Sequence, residues 1–146
     1  MEPDIKIAAT AYIPEEYVPD ADQKMSFYQR LAAARKLVDL LAIQEEMEDR
    51  FGRLPFPTRS LLHLMEIRVM ARQLGVALVQ LERARLRLVW PPEFQPARTD
   101  IQRLVEKSPT QLEFNLGEQF TIEAQVGGTD EQERLERAKN ILQEIL

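Results

Sequence analysis

The chain has 146 residues, of which 45% are hydrophobic and 29% are charged, a composition typical of a folded domain rather than a disordered tail. Its formal net charge of −5 argues against unspecific binding to nucleic-acid phosphates, which requires clustered Lys and Arg. The sequence has no cysteine and no apolar run approaching the roughly 20 residues of a membrane span, so we expect no disulfide framework, no thiolate metal site and a cytoplasmic location.

The chain begins with a segment that favours extended structure. Residues 4–13 are mostly apolar and predict a strand or arm, which Pro14 and Pro19 end because proline lacks the N–H that a strand ladder needs. A first helix is predicted at about 23–35 and a second at about 38–51, and whether the two are continuous stays open. The apolar stripe expected for the first helix is Met25, Tyr28, Leu31 and Ala32.

The second helix has the clearest pattern in the sequence. Its apolar positions are spaced three, four and four residues apart and therefore share one helix face: Leu40, Ile43, Met47 and Phe51. Gly52 follows at once and is typical of a helix end, and Pro55 and Pro57 exclude further helix before a new one starts. The pattern predicts that Phe51 is buried, whereas Glu46 and Asp49 lie on the opposite side of the helix.

Pro57 suits the first turn of a third helix that runs to Leu74 and ends at Gly75. The expected core positions of this helix are Leu61, Leu64, Met65, Val69 and Leu74. Apolar and alternating segments then predict four strands, at 76–81, 86–90, 112–116 and 120–126. Between the second and third of these strands, Ile101, Leu104 and Val105 predict a short helix at 97–107. Thr129 and Gln132 form a capping-box pattern at the start of the last helix. The apolar face of that helix is Leu135, Ala138, Leu142 and Ile145.

This order of elements predicts an α+β fold in one domain over 1–146. We expect an extended arm (1–20), a helical part (21–75) that contains a helical hairpin, and a ββαββα part (76–146). The second part predicts a small, mostly antiparallel four-stranded sheet with helices packed on one face, and the two parts could share one core.

No set of residues in the sequence indicates catalysis, a metal site or a cofactor. His63, the only histidine, lies inside the third helix, and a polar or half-buried helix residue is the favoured interpretation because a catalytic or metal-binding histidine needs further partners. No phosphate-binding glycine motif is present. We therefore predict a protein without enzymatic activity of its own.

A nucleic-acid-binding face is one alternative. Phe114 and Phe120 fall on predicted strands, where aromatic side chains can stack on bases, and Arg83, Arg85 and Arg87 alternate along another. Core packing for the aromatic residues and a solvated edge for the arginines are the favoured interpretations, and the acidic net charge also weighs against this alternative.

The acidic residues of the second helix allow another interpretation. Glu46 and Asp49 lie one turn apart near the helix C-terminus, where the helix dipole disfavours negative charge, and Glu45 and Glu48 make the patch denser. From the residues alone, both a solvated acidic face and a docking patch for arginines of a partner stay open.

Several motifs, in order and at compatible spacings, make the first half resemble the C-terminal domain of bacterial transcription-repair coupling factors. The resemblance is dense over about 10–76 and thinner over the sheet half. It rests on Tyr12-Ile13-Pro14, Tyr17-Val18-Pro19-Asp20, Phe27-Tyr28-x-Arg30-Leu31-Ala32-x-Ala34, Glu46-x-x-Asp49-Arg50-Phe51-Gly52-x-Leu54-Pro55, Leu61-Leu62 and Ile67-Arg68-x-x-Ala71-x-x-Leu74-Gly75-Val76.

The resemblance implies that the chain is a C-terminal fragment of a large DNA translocase that uses ATP to remove stalled RNA polymerase and recruits the repair protein UvrA. The motor motifs of that family are absent from this sequence. In the family this domain is an autoinhibitory clamp that docks on the UvrB-like N-terminal module of the same protein and covers the UvrA-binding surface. An acidic pair facing arginines of that module corresponds to Glu46 and Asp49, and no cofactor is implied.

Overall fold

The computed structural model describes residues 2–146 and contains five strands and five helices in that range. In chain order they are β1 (Asp4–Ile7), α1 (Ala21–Ala33), α2 (Leu37–Phe51), α3 (Phe56–Leu74), β2 (Leu78–Glu82), β3 (Arg85–Val89), α4 (Arg98–Lys107), β4 (Leu112–Leu116), β5 (Phe120–Gln125) and α5 (Glu131–Ile145). The fold is α+β, as the sequence predicts.

The sheet is five-stranded and mixed, so the prediction of a four-stranded, mostly antiparallel sheet was wrong in strand number. The strand order is β1-β2-β3-β5-β4, and β1 runs parallel to β2 while the other neighbours are antiparallel. The additional strand lies within the segment predicted as a strand or arm, and its partner is distant in the chain, since Ile5 pairs with Val79. Ile5 and Ile7 pack against the sheet core, which favours this pairing.

α1 and α2 are separate helices. Asp20 caps α1 by accepting hydrogen bonds from the N–H groups of Asp22 and Gln23, and the backbone of Ala34 becomes extended after its last turn. The predicted stripe of α1 is wrong in part, because Met25 is 57% exposed whereas the deeply buried residues are Phe27 and Leu31.

α5 also begins differently from the prediction. Its N-cap is Asp130, whose carboxylate accepts a hydrogen bond from the N–H of Glu133 at 2.8 Å. The side chain of Thr129 instead donates to the carboxylate of Glu133. Asp130 occupies the cap because an Asp side chain there can reach the amide three residues ahead.

The buried residues form two clusters that meet at α3. The sheet cluster lies between the sheet, α3 and α5 and includes Leu86, Leu88, Ile122, Leu135 and Leu142. The helical cluster lies between α1, α2, α3 and the segment that joins β1 to α1. It includes Ile13, Val18, Phe27, Leu40, Met47 and Leu62. Ile13 and Val18 belong to the predicted arm and are almost completely buried, so this segment contributes to a core.

Candidate docking face on the second helix

α2 buries one side and leaves the other side open. Leu40, Ile43 and Met47 are buried in the helical cluster, as the sequence pattern predicts. Phe51 is only half-buried, so the prediction of a buried Phe51 was too strong. Its ring packs against Tyr17 and Phe27, with centroid distances of 5.8 and 6.0 Å, and the last turn of the helix leaves the rest of the ring in solvent.

The end of α2 is fixed by backbone contacts. Gly52 has a φ of 87°, a conformation that favours glycine, and its N–H donates to the carbonyl of Glu48 at 2.9 Å. The Tyr17 hydroxyl donates to the Gly52 carbonyl at 2.7 Å. Burial, followed by the charge of Glu48, raises the pKa of Tyr17, which keeps this donor protonated. These contacts hold the last turn of α2, which contains Asp49, in a defined position.

Glu46 is engaged within the domain. Its carboxylate accepts two hydrogen bonds from the Arg30 guanidinium of α1, at 2.8 and 3.1 Å, and a third from Arg50 at 2.9 Å. The hydrogen bond from Arg30 is the largest cause that lowers the pKa of Glu46, and Arg50 acts in the same direction while desolvation opposes it. The two guanidinium groups also lie 5.5 Å from the centre of the Phe27 ring. Glu46 therefore joins α1 to α2.

Asp49 lies elsewhere on the same helix and is exposed. At about 100° per residue it lies about 180° from Leu40, whereas Glu46 lies about 120° away on the α1 side. Val38, Ala42, Glu45 and Asp49 therefore form one line along the helix, and all four are exposed. We call this line the α2 ridge.

The two acidic residues of the α2 ridge and the neighbouring Glu48 have no ion-pair partner within residues 2–146. None of the ion pairs in that range includes Glu45, Glu48 or Asp49. Glu48 accepts a hydrogen bond from the neutral side chain of Gln44 at 2.9 Å. Three exposed carboxylates on one helix end can accept charge-assisted hydrogen bonds from guanidinium or ammonium groups of a partner.

The described residues contain no group of three or more His, Cys, Asp and Glu side chains placed to hold a metal ion. Over the same range, no helix has the length and apolar character needed to cross a membrane.

The residues of the nucleic-acid alternative lie on different faces of the sheet. Phe120 is buried, and Phe114 stacks beside it at 6.3 Å on the side that faces the sheet cluster. Arg85 and Arg87 alternate with the buried Leu86 and Leu88 and so point to the opposite face. The structure therefore does not assemble a surface that combines these aromatic rings with these arginines.

His63 lies in the contact between α3 and α5. It is 7% exposed, and its Nδ1 is 3.7 Å from the carboxylate of Glu66, which is 3.5 Å from the ammonium group of Lys139. Burial opposes ionisation of Glu66, but the nearby imidazole of His63 and the charge of Lys139 together lower its pKa. No ion pair or side-chain hydrogen bond within residues 2–146 joins His63 to Asp49.

Sequence reasoning missed two features of this face. The first is Arg30, which binds Glu46 from another helix, 16 residues away in the chain. The second is the exposed apolar part of α2, where Val38 is 66% and Leu41 is 53% exposed. A helical projection of the sequence could have revealed the apolar part, because neither residue shares the buried stripe.

Comparisons with known proteins agree on one family. A family model described as TRCF domain matches residues 7–101. The Transcription-repair-coupling factor of Escherichia coli (strain K12) is 36% identical over 73 residues, which is 50% of this chain and 6% of that protein. The Transcription-repair-coupling factor of Bacillus subtilis (strain 168) is 35% identical over 105 residues, which is 72% of this chain and 9% of that protein. The chain thus spans less than a tenth of the length of these curated relatives.

A solved structure shares the fold. It is described as the crystal structure of the C-terminal domain of transcription-repair coupling factor and matches with a TM-score of 0.83, covering 99% of this chain and 91% of that chain. The sequence identity is 18%, so this similarity concerns the fold alone.

Proposed function

Because this chain belongs to the TRCF domain family, we propose that it is a non-catalytic regulatory domain of a transcription-repair coupling factor. In this proposal α2 docks on the UvrB-like module of the same protein. The docked state masks the UvrA-binding surface and restrains the ATP-dependent translocase that removes stalled RNA polymerase from DNA. Undocking exposes that surface and releases the restraint.

The observation that supports this proposal is the acidic end of the α2 ridge. Asp49 and Glu45 are exposed on a helix whose other side is firmly packed, and neither takes part in an ion pair within residues 2–146. An acidic residue in the last turn of a helix, such as Asp49, costs about 0.3–1 kcal/mol, so a binding role gives the placement of Asp49 a reason that folding does not.

The two acidic residues named from the sequence have different roles in the proposal. Asp49 is directly available to an arginine of the partner. Glu46 already accepts hydrogen bonds from Arg30 and Arg50, so a partner arginine reaches it only by sharing the carboxylate or by displacing one of them. Glu46 therefore holds α1 against α2 and contributes to docking through that position.

The expected strength suits a reversible lock. Two or three charge-assisted pairs at a partly solvated interface contribute a few kcal/mol in total. Covalent linkage within one protein raises the local concentration to roughly millimolar, so weak association is sufficient to keep the domain docked.

The test is a calorimetric titration of this chain with the UvrB-like module of the same protein. We expect binding by the wild type and its loss in Asp49→Arg, with an unchanged circular dichroism spectrum. Glu136→Arg is the matched control, because it makes the same charge change at an exposed residue of α5. Absence of wild-type binding at high concentration, or equal loss in both variants, would contradict docking through α2.

A further inference from the structure

The amino-terminal half of α2 exposes an apolar surface beside the acidic one. Val38 and Leu41 are 66% and 53% exposed, although both are apolar. They border a depression of about 250 Å³ between α2, α3 and α5, whose floor includes Leu37, Leu40 and Met70. Gln44 and Glu66 lie on its polar rim. The depression is large enough to accept one aliphatic or aromatic side chain.

This depression and the acidic residues form one continuous surface. Leu41, Glu45 and Glu48 follow each other at intervals of four and three residues, so their side chains are neighbours along α2. From Val38 to Asp49 the helix advances roughly 16 Å at 1.5 Å per residue. A single partner segment of two to three helical turns can therefore contact both the apolar and the acidic half.

We infer that the docking segment of the UvrB-like module is basic and amphipathic, and that it inserts an apolar side chain into the depression beside Leu41. This inference rests on the proposed function and specifies the chemistry of the partner. The apolar side chain covers Val38 and Leu41, while arginines or lysines one or two turns away pair with Glu45, Glu48 and Asp49.

Charge complementarity selects this occupant over a second copy of the chain. In a symmetric pair of α2 faces, Glu45 and Asp49 of one copy would meet either the same carboxylates or the apolar half of the other copy, neither of which offers them a cation. The whole chain also has a net charge of −5. Like charges brought together at an interface oppose association. A basic segment gains both from apolar burial and from the three carboxylates, none of which has an ion-pair partner within residues 2–146.

The test compares two double variants in calorimetric titrations with the UvrB-like module of the same protein. Val38→Ala with Leu41→Ala removes the exposed apolar groups of α2 and keeps good helix formers. Val105→Ala with Leu116→Ala is the matched control, because these residues are 58% and 65% exposed on other elements. We expect the α2 pair to weaken binding about tenfold or more, and the control pair to bind as the wild type does.

The temperature dependence of the binding enthalpy gives a second readout. Burial of apolar surface makes the heat-capacity change of binding negative, so the magnitude of that change should fall in the α2 pair and not in the control pair Val105→Ala with Leu116→Ala. If Asp49→Arg abolishes binding while the α2 pair leaves both affinity and heat capacity unchanged, the apolar contact is refuted and the docking proposal survives. If the wild type does not bind, the docking proposal itself is refuted.

Discussion

Two carboxylates of the sheet part and two of the helical part differ in whether an arginine of this chain pairs with them. On the open face of the sheet, Arg85 of β3 lies 3.4 Å from Glu123 of the neighbouring β5 and 2.6 Å from Glu113 of β4, the strand beyond β5. On α2, Glu45 and Asp49 are exposed and have no such partner among the described residues. Arg85 thus balances two carboxylates of the sheet within the chain, whereas the lack of such a partner for Glu45 and Asp49 is the observation on which the docking proposal rests.

The two parts also differ in how they are stabilised, yet they share α3. Strand pairing and the apolar contacts of α5 hold the sheet part, while the helical part depends on side-chain packing around Phe27. α3 contributes Ile67 and Met70 to the sheet cluster and Leu62 and Val69 to the helical cluster. Because one helix belongs to both cores, we expect the two parts to unfold together.

The largest expected effect tests this coupling. Phe27→Ala removes an almost fully buried ring from the helical cluster and should lower the free energy of unfolding by about 3–5 kcal/mol. Trp90, the only tryptophan, lies in the sheet cluster and reports on the other part. Urea unfolding followed by tryptophan fluorescence and by circular dichroism should give coincident transitions, both shifted by the substitution.

Phe56→Ala is the matched control for this truncation. Phe56 is 50% exposed at the first position of α3, so its loss should cost less than about 1 kcal/mol. If the fluorescence transition of Phe27→Ala stays at its wild-type position while the circular dichroism transition moves, the two parts unfold independently and the shared-helix interpretation is wrong.

A smaller effect is expected at Phe51, at the border between the packed and the open side of α2. Phe51→Ala should cost about 1.5–3 kcal/mol, below the range for a fully buried ring, because the side chain is only half-buried. It also removes the contact with the Arg50 guanidinium, 5.1 Å from the ring centre. Urea denaturation measures the loss, and a value as large as that for Phe27→Ala would mean that the last turn of α2 is as deeply packed as α1.

The ion pairs of Glu46 predict a contribution to the pH dependence of stability that originates between α1 and α2. The pKa of Glu46 is lowered from its ordinary value of 4.5, chiefly by Arg30, so its stabilisation is present above pH 4.5 and is lost as the pH falls through the lowered value. Because the pair is partly exposed, the contribution at neutral pH should be about 1 kcal/mol or less.

Glu46→Gln measures this contribution. The variant should be less stable than the wild type at pH 7, and the difference should shrink as the pH is lowered below 4.5, as measured by urea denaturation. Glu45→Gln removes a carboxylate of the same helix that forms no ion pair within residues 2–146 and should retain the wild-type response. A constant difference between Glu46→Gln and the wild type above and below pH 4.5 would exclude the ion pair as its cause.

Whether a feature could be predicted from the sequence depends on how far apart in the chain its interacting residues lie. The end of α2 at Gly52, three of the four residues of its predicted buried stripe and the exposure of Asp49 depend on neighbours within one or two turns and were predicted correctly. Phe51, the fourth residue of the stripe, is only half-buried. β1 was missed as a sheet strand because its ladder partners begin at Leu78, far along the chain. The Arg30 partner of Glu46 was missed for the same reason, since it requires two helices to meet.

The smallest expected effect separates the two acidic residues of α2. Asp49→Asn removes a negative charge near the C-terminus of the helix, where the dipole disfavours it, and breaks no ion pair within residues 2–146. Its free energy of unfolding should therefore stay the same or rise by a few tenths of a kcal/mol, opposite in sign to Glu46→Gln. Denaturation of both variants in one buffer at pH 7 measures this difference. Destabilisation of Asp49→Asn by more than about 1 kcal/mol would assign Asp49 a structural role and remove the reason to place it in a docking surface.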